Sequence, residues 1–203
     1  RLTLLGLMAA ILLLMAYTPL GYLNIGPLAV TFNVIPVAVC AIVLGPTGGA
    51  IAGAVFGLTS FMQAIGIGGV SALGSALFQI NPFMTAVQCF GPRILDGICI
   101  GFIYRAVHKK ANTYVSCAVT GFFSAFLNTL FFMTALIVMF GNTELIRNLM
   151  GGHNIIVGCC LMVGVNAISE MVSSTIITAA VGTALSKAHL IPAVQIVKTD
   201  TAA

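Results

Sequence analysis

Charge is what this chain has least of. Lys, Arg, Asp and Glu make up 6% of its 203 residues, and only four of them are acidic. A soluble domain carries roughly 25% charge. So few charged side chains cannot cover a soluble globule of this size, which excludes that class. Intrinsic disorder is excluded as well, because disorder needs the opposite composition. Tryptophan is absent and there are three histidines, far apart in the chain. No G-x-x-x-x-G-K-[ST], H-E-x-x-H or G-x-S-x-G occurs, so nothing here binds ATP through a phosphate loop or builds a zinc peptidase or nucleophile elbow. No catalytic residue, metal ligand or resident cofactor is therefore expected, and the chain does not read as an enzyme. There is no basic stripe with interleaved aromatics, so no nucleic-acid partner is expected either. The cysteines Cys40, Cys89, Cys99, Cys117, Cys159 and Cys160 form no C-x-x-C and read as small buried hydrophobes. A cleaved signal peptide is not expected, because the first apolar run reaches Tyr17 without a small-residue cleavage site.

What the sequence does have is apolar length. Sixty per cent of it is hydrophobic, and its mean hydropathy is +1.14. That composition belongs to a polytopic membrane protein. A spanning helix takes about 20 residues, so six spans use roughly 120 and leave only loops and tails. Residues 1–203 thus read as one all-α membrane domain. The expected spans are Leu2–Tyr17, Asn33–Leu44, Ala50–Ile65, Phe83–Val107, Tyr114–Phe140 and Ile155–Leu185. Pro19, Gly21, Gly26 and Pro27 break the chain after the first span, and β-prone Leu28–Phe32 suggests an extended lid segment between helices 1 and 2. Gly45–Gly49 reads as a tight turn, and uncharged Gly66–Asn81 as a loop or short re-entrant helix. Gly91-Pro92 is expected to interrupt the fourth span with a kink. With six spans, Arg1, Arg105, Lys109, Lys110, Lys187 and Lys198 fall on one side. The excess of basic residues in cytoplasmic loops puts both termini in the cytoplasm and the lid outside.

Two kinds of residue stand out from this background. The first is small: Gly49, Gly53 and Gly57 make two G-x-x-x-G steps in the third span, and Gly6, Ala9 and Ala10 form a smaller patch in the first. Such spacing lets helix backbones approach closely, either within the chain or against a second subunit. The second is charged: Arg93, Asp96 and Glu170 lie inside apolar spans. Each costs a few kcal/mol near the bilayer centre and must face an interior, a cavity or a partner. Asp96, at i+3, is placed to pair with Arg93, and Glu170 can reach either. Two readings stay open: a closed ionic network that holds helices together, or an Arg93 with donors free for an anionic ligand, since its planar fork suits a carboxylate. Asn33, Gln63, Gln79, Gln88, Asn128 and Asn166 recur around the same layer. With Arg93 they suggest a polar pocket in the outer half of a helical bundle, and Glu170 belongs to the same candidate set. His153 reads as interfacial.

Specific motifs sharpen this. Gly21–Leu28, Phe32–Pro36, the L-G-P turn ending Ala41–Pro46, the Gly49–Gly57 stretch, Ile80–Phe83 and Gly91–Leu95 together resemble the S components of energy-coupling factor vitamin transporters. The resemblance covers roughly the first half of the chain in motif detail and all of it in size. It implies a six-helix membrane subunit of the bacterial plasma membrane that captures a vitamin from outside. Such a subunit delivers its load by docking on a transmembrane coupling subunit that carries two cytoplasmic ATPases, so ATP is used only by partners. It makes Gly6, Ala9 and Ala10 candidates for that docking, with Gly49, Gly53 and Gly57. The chain looks most like the pantothenate type, which implies Arg93 on the carboxylate and Asn33, Gln63, Asn128 and Asn166 on the amide and hydroxyls. Another vitamin, such as cobalamin or riboflavin, is the alternative. A solitary proton-coupled carrier using Asp96 and Glu170 is a further one.

Overall fold

The computed structural model describes residues 2–18, 22–24, 29–68, 71–149 and 155–191. It is helical apart from one small hairpin. In order the elements are α1 (Leu2–Ala16), β1 (Tyr22–Asn24), β2 (Ala29–Thr31), α2 (Val34–Ile65), α3 (Ala72–Ile80), α4 (Pro82–His108), α5 (Thr113–Phe140), α6 (Glu144–Leu149) and α7 (Ile155–Lys187). Among the described residues four helices are long and apolar enough to cross a membrane: Val34–Ile65, Pro82–His108, Thr113–Phe140 and the Asn166–Lys187 part of α7. The helix α1 is apolar but shorter.

The longest of these, α2, is two helices that meet at Gly45. Its backbone there has φ 77° and ψ −166°, a conformation open to glycine, and Pro46 follows. Proline suits the first position of a helix because its missing N–H would have no partner there. The chain turns back sharply: the Ala41 Cβ lies 3.0 Å from where a Cβ on Gly49 would sit. Eight residues along a straight helix would be about 12 Å apart. The expected Gly45–Gly49 turn is thus compressed into Gly45 and Pro46, leaving a short helix over 34–44 and a longer one over 46–65. The first is only about 16 Å long at 1.5 Å per residue.

Helix 46–65 lies against α4 across glycine. A Cβ on Gly49 would strike the Gly97 backbone, one on Gly53 the Arg93 backbone, and one on Gly57 the backbone of Cys89 and Phe90. Gly97 and Gly101 answer from α4, against Gly49 and Pro46. The pairs run antiparallel. This small-residue face is therefore filled from inside the chain, which leaves the patch on α1 as the outward-facing one. Elsewhere α5 packs on α7 and on α4, and α1 packs on α2. Ser124 Oγ donates to the Val34 carbonyl and Ser174 Oγ to that of Gly121, so small polar side chains also stitch the bundle.

One expectation about interruptions needs correcting, and another resolves between its two alternatives. The helix α4 runs unbroken through Gly91-Pro92. The flanking turns hold their own hydrogen bonds, so the missing Pro92 donor is absorbed locally. The glycine-rich stretch after α2 is ordered into α3, capped by the Ser71 hydroxyl on the Gly74 amide. The β-prone stretch before α2 is extended over Ala29–Thr31: β1 and β2 pair antiparallel, with Leu23 opposite Val30. The remaining residues of the expected lid, 19–21 and 25–28, and His153 lie outside the described residues.

Because the α2–α4 contact is backbone to backbone, Gly53→Ala is expected to wedge it open. Overpacking of this kind costs about 1–3 kcal/mol, so thermal unfolding in detergent should fall by several degrees. Gly91→Ala is the control: a Cβ there meets nothing within 4 Å, and the midpoint should stay level or rise.

Candidate functional site

Arg93 sits near the midpoint of α4 and is 9% exposed, and Asp96 in the next turn is 2% exposed. Helical side chains lean toward the N-terminus of their helix. Arg93 obeys: its Nη1 donates to the Gln88 carbonyl at 3.3 Å and to the Cys89 carbonyl at 3.1 Å. The Gln88 carbonyl is available because residue 92, its usual helical donor, is proline. Pro92 thus creates an acceptor that Arg93 uses. The guanidinium carbon also stands 4.7 Å from the Phe56 ring centre and 5.3 Å from that of Phe132. A desolvated cation between two aromatic rings gains about 2 kcal/mol or more.

The expected Arg93–Asp96 pair does not form. Among the described residues no carboxylate lies within ion-pair distance of Arg93, because its side chain points away from Asp96 toward the previous turn. Both Asp96 and Glu170 still lie within the electrostatic reach of Arg93. Glu170 has a different partner: its Oε1 accepts from the Thr31 backbone N–H at 2.6 Å. Strand β2 is thereby tied to the middle of α7. The Thr31 hydroxyl oxygen in turn accepts from the Asn33 backbone N–H at 3.3 Å.

These contacts bring distant segments into one layer. Arg93 and Gln88 come from α4, Phe56 from α2, Phe132 from α5, Glu170 from α7 and Thr31 from β2. Asn128 lies one turn before Phe132, and Asn166 one turn before Glu170, on the same faces. Asn33 is fully buried, and Asn128, Asn166 and Glu170 nearly so. The layer is rich in buried polar atoms that have no protein partner among the described residues. They are Nδ2 and Oδ1 of Asn33, Oε1 of Gln88, Nε of Arg93, and Oδ1 of both Asp96 and Asn128. Buried polar groups are nearly always hydrogen-bonded, so such a cluster asks for a ligand. A cationic donor, an amide donor and several acceptors suit an anion that also carries hydroxyl or amide N–H groups.

Two expected residues stand outside this layer. The Gln63 side chain donates to the Ala16 carbonyl at 2.8 Å and ties α1 to α2. Gln79 is exposed on α3. Sequence reasoning passed over Phe56, Phe132 and Thr31, whose parts emerge only in three dimensions. Gln88 carried a signal, a glutamine four residues before a mid-span proline.

The family of ECF transporter substrate-specific components matches residues 1–182. The chain belongs to this family. Among similar proteins, the pantothenate transporter PanT of Leuconostoc mesenteroides is 33% identical over 186 residues, 87% of each chain. The pantothenic acid transporter PanT of Lactococcus lactis is 29% identical over 180 residues, covering 82% of this chain and 84% of the relative. This S component is thus a transporter subunit, in keeping with its apolar helices and with the absence of nucleophile and phosphate-loop motifs from its sequence.

The Glu170–Thr31 bond makes a direct prediction for the S component. Glu170→Ala should release β2 and speed hydrogen exchange at the Thr31 amide, read by mass spectrometry. Glu170→Gln retains a carbonyl acceptor and should keep most of the protection. Equal exchange in the wild type and the alanine variant would remove the tie.

Proposed function

We propose that the layer around Arg93 binds pantothenate and that the chain is the pantothenate S component of an energy-coupling factor importer. One observation carries the ligand: a buried guanidinium held by carbonyls and rings rather than by a carboxylate, among unpartnered amide groups. Pantothenate has one carboxylate, one amide and two hydroxyls. Arg93 Nε takes the carboxylate, and Asn33, Asn128 and Gln88 take the amide and hydroxyls. Asn166 and Glu170 border the same space from α7. Two relatives that bear the name of a pantothenate transporter support this choice.

In this reading the subunit has six spanning helices in the bacterial plasma membrane, with α2 counted as two around Gly45. The cations Arg105, Lys109, Lys110 and Lys187 stand at helix ends 105–110 and 187, which supports a cytoplasmic side there. The β1–β2 hairpin then lies outside as the lid. The patch on α1 docks on the coupling subunit: Gly6 and Ala10 are exposed, Ala9 is half-buried, and nothing lies within 4 Å of a Cβ on Gly6. Two ATPases on that coupling subunit supply the energy.

Titration calorimetry of the purified protein tests the ligand. Pantothenate should bind one per chain. Arg93→Ala should weaken it roughly tenfold to a hundredfold, the worth of a charge-assisted hydrogen bond at about 1.5–3 kcal/mol. Panthenol, the neutral alcohol analogue, should bind weakly to the wild type and be nearly indifferent to the substitution. Equal affinity for both compounds would overturn the role of Arg93. Docking has a separate test: Ala10→Trp should abolish uptake by the full importer while leaving pantothenate binding intact, whereas loss of both would mark a folding defect.

A further inference from the structure

The C-terminal end of α4 carries a concave feature, about three helical turns beyond Arg93. A cleft of about 480 Å³ opens between the Gly45 turn and the last turn of α4, with Tyr104, Arg105, His108 and Lys109 on one wall. Ile42, Val43, Leu44 and Ile191 make the other walls. Arg105 and Lys109 are exposed, and the Arg105 guanidinium lies directly over Gly45, where any side chain would displace it. Among the described residues no carboxylate lines the cleft. Of the four acidic residues in the chain, Asp96 and Glu170 belong to the binding layer, Glu144 follows the far end of α5, and Asp200 is outside the described residues.

Basic residues at a helix C-terminus are stabilising in themselves, so the charges alone would say little. Tyr104 adds the independent observation. It is 5% exposed, it lines this cleft, and its hydroxyl is buried without a hydrogen-bond partner among the described residues. Its ring is fixed by stacking on His108 at 4.8 Å. A neutral donor beside two cations, without an acidic counter-group among the described residues, is the complement of a phosphate oxygen. The apolar walls and the position at the end of the spanning helices select its source. A phosphodiester headgroup would meet the cations while its glycerol and upper acyl carbons met Ile42, Val43 and Leu44.

We propose that this cleft binds the phosphate of one anionic phospholipid, with Arg105 and Lys109 as the charged contacts and the Tyr104 hydroxyl as a hydrogen-bond donor. The site holds the end of α4 and the Gly45 turn in register with the membrane surface.

Native mass spectrometry of the full chain released from nanodiscs of phosphatidylglycerol and phosphatidylcholine tests it. One phosphatidylglycerol per chain should be retained in preference to phosphatidylcholine. Arg105→Gln with Lys109→Gln should lower that adduct about tenfold or more, the scale of losing charge-assisted contacts. Tyr104→Phe removes only the hydroxyl and should lower it by a smaller factor, with the thermal midpoint unchanged. Equal retention of both lipids, or an adduct indifferent to the double substitution, would overturn the proposal. Binding of inorganic phosphate to the delipidated protein without any lipid preference would overturn the lipid source and leave a free-phosphate site.

Discussion

Everything near the middle of this bundle depends on how one cation is kept in an apolar protein. An arginine at the centre of a spanning helix costs about 2.5–3.5 kcal/mol on insertion scales. The fold meets that cost without an ion pair among the described residues. Pro92 withholds an amide from the Gln88 carbonyl, and Arg93 takes the carbonyl instead. Phe56 and Phe132 then cover the guanidinium from α2 and α5. Hydrogen bonds from a charged donor contribute about 1.5–3 kcal/mol each, comparable to the insertion cost. The cation is therefore stable, yet its charge is not neutralised. A closed salt bridge would have been as stable and useless for holding an anion.

That arrangement rests in turn on glycine. Phe56 reaches Arg93 because helix 46–65 lies on the α4 backbone at Gly49, Gly53 and Gly57. Without hydrophobic drive between helices in lipid, close van der Waals contact does the work, and small residues permit it. The carboxylates have separate duties. Glu170 holds strand β2 through the Thr31 amide, so the segment between α1 and α2 is fastened to the same layer that holds Arg93.

Much of this was legible in the sequence. The apolar runs gave the ends of the long helices to within a few residues, since twenty apolar residues in a row have few other uses. The burial of Arg93, Asn33, Asn128, Asn166 and Glu170 was also legible, because polar groups inside apolar spans are costly and so turn inward. The motifs around Leu44-Gly45-Pro46 and Pro92-Arg93-Ile94-Leu95 carried the family. Less legible were the partners of those groups. Asp96 at i+3 looked like the natural mate of Arg93, but spacing along a helix says nothing of which way a long side chain leans. Gln63 looked like a ligand residue for the same reason that it makes a good helix tie: a buried amide needs a partner of some kind.

The sequence by itself determined the class of protein, the number of apolar segments and the list of costly buried groups, because composition and hydropathy act residue by residue. Only the tertiary structure decided that the glycines of the third apolar segment serve α4, that Glu170 serves β2 and that Arg93 stands between two phenylalanines. Each of those choices joins segments some 35 to 140 residues apart, and a contact at that range is set by how helices pack rather than by any local pattern.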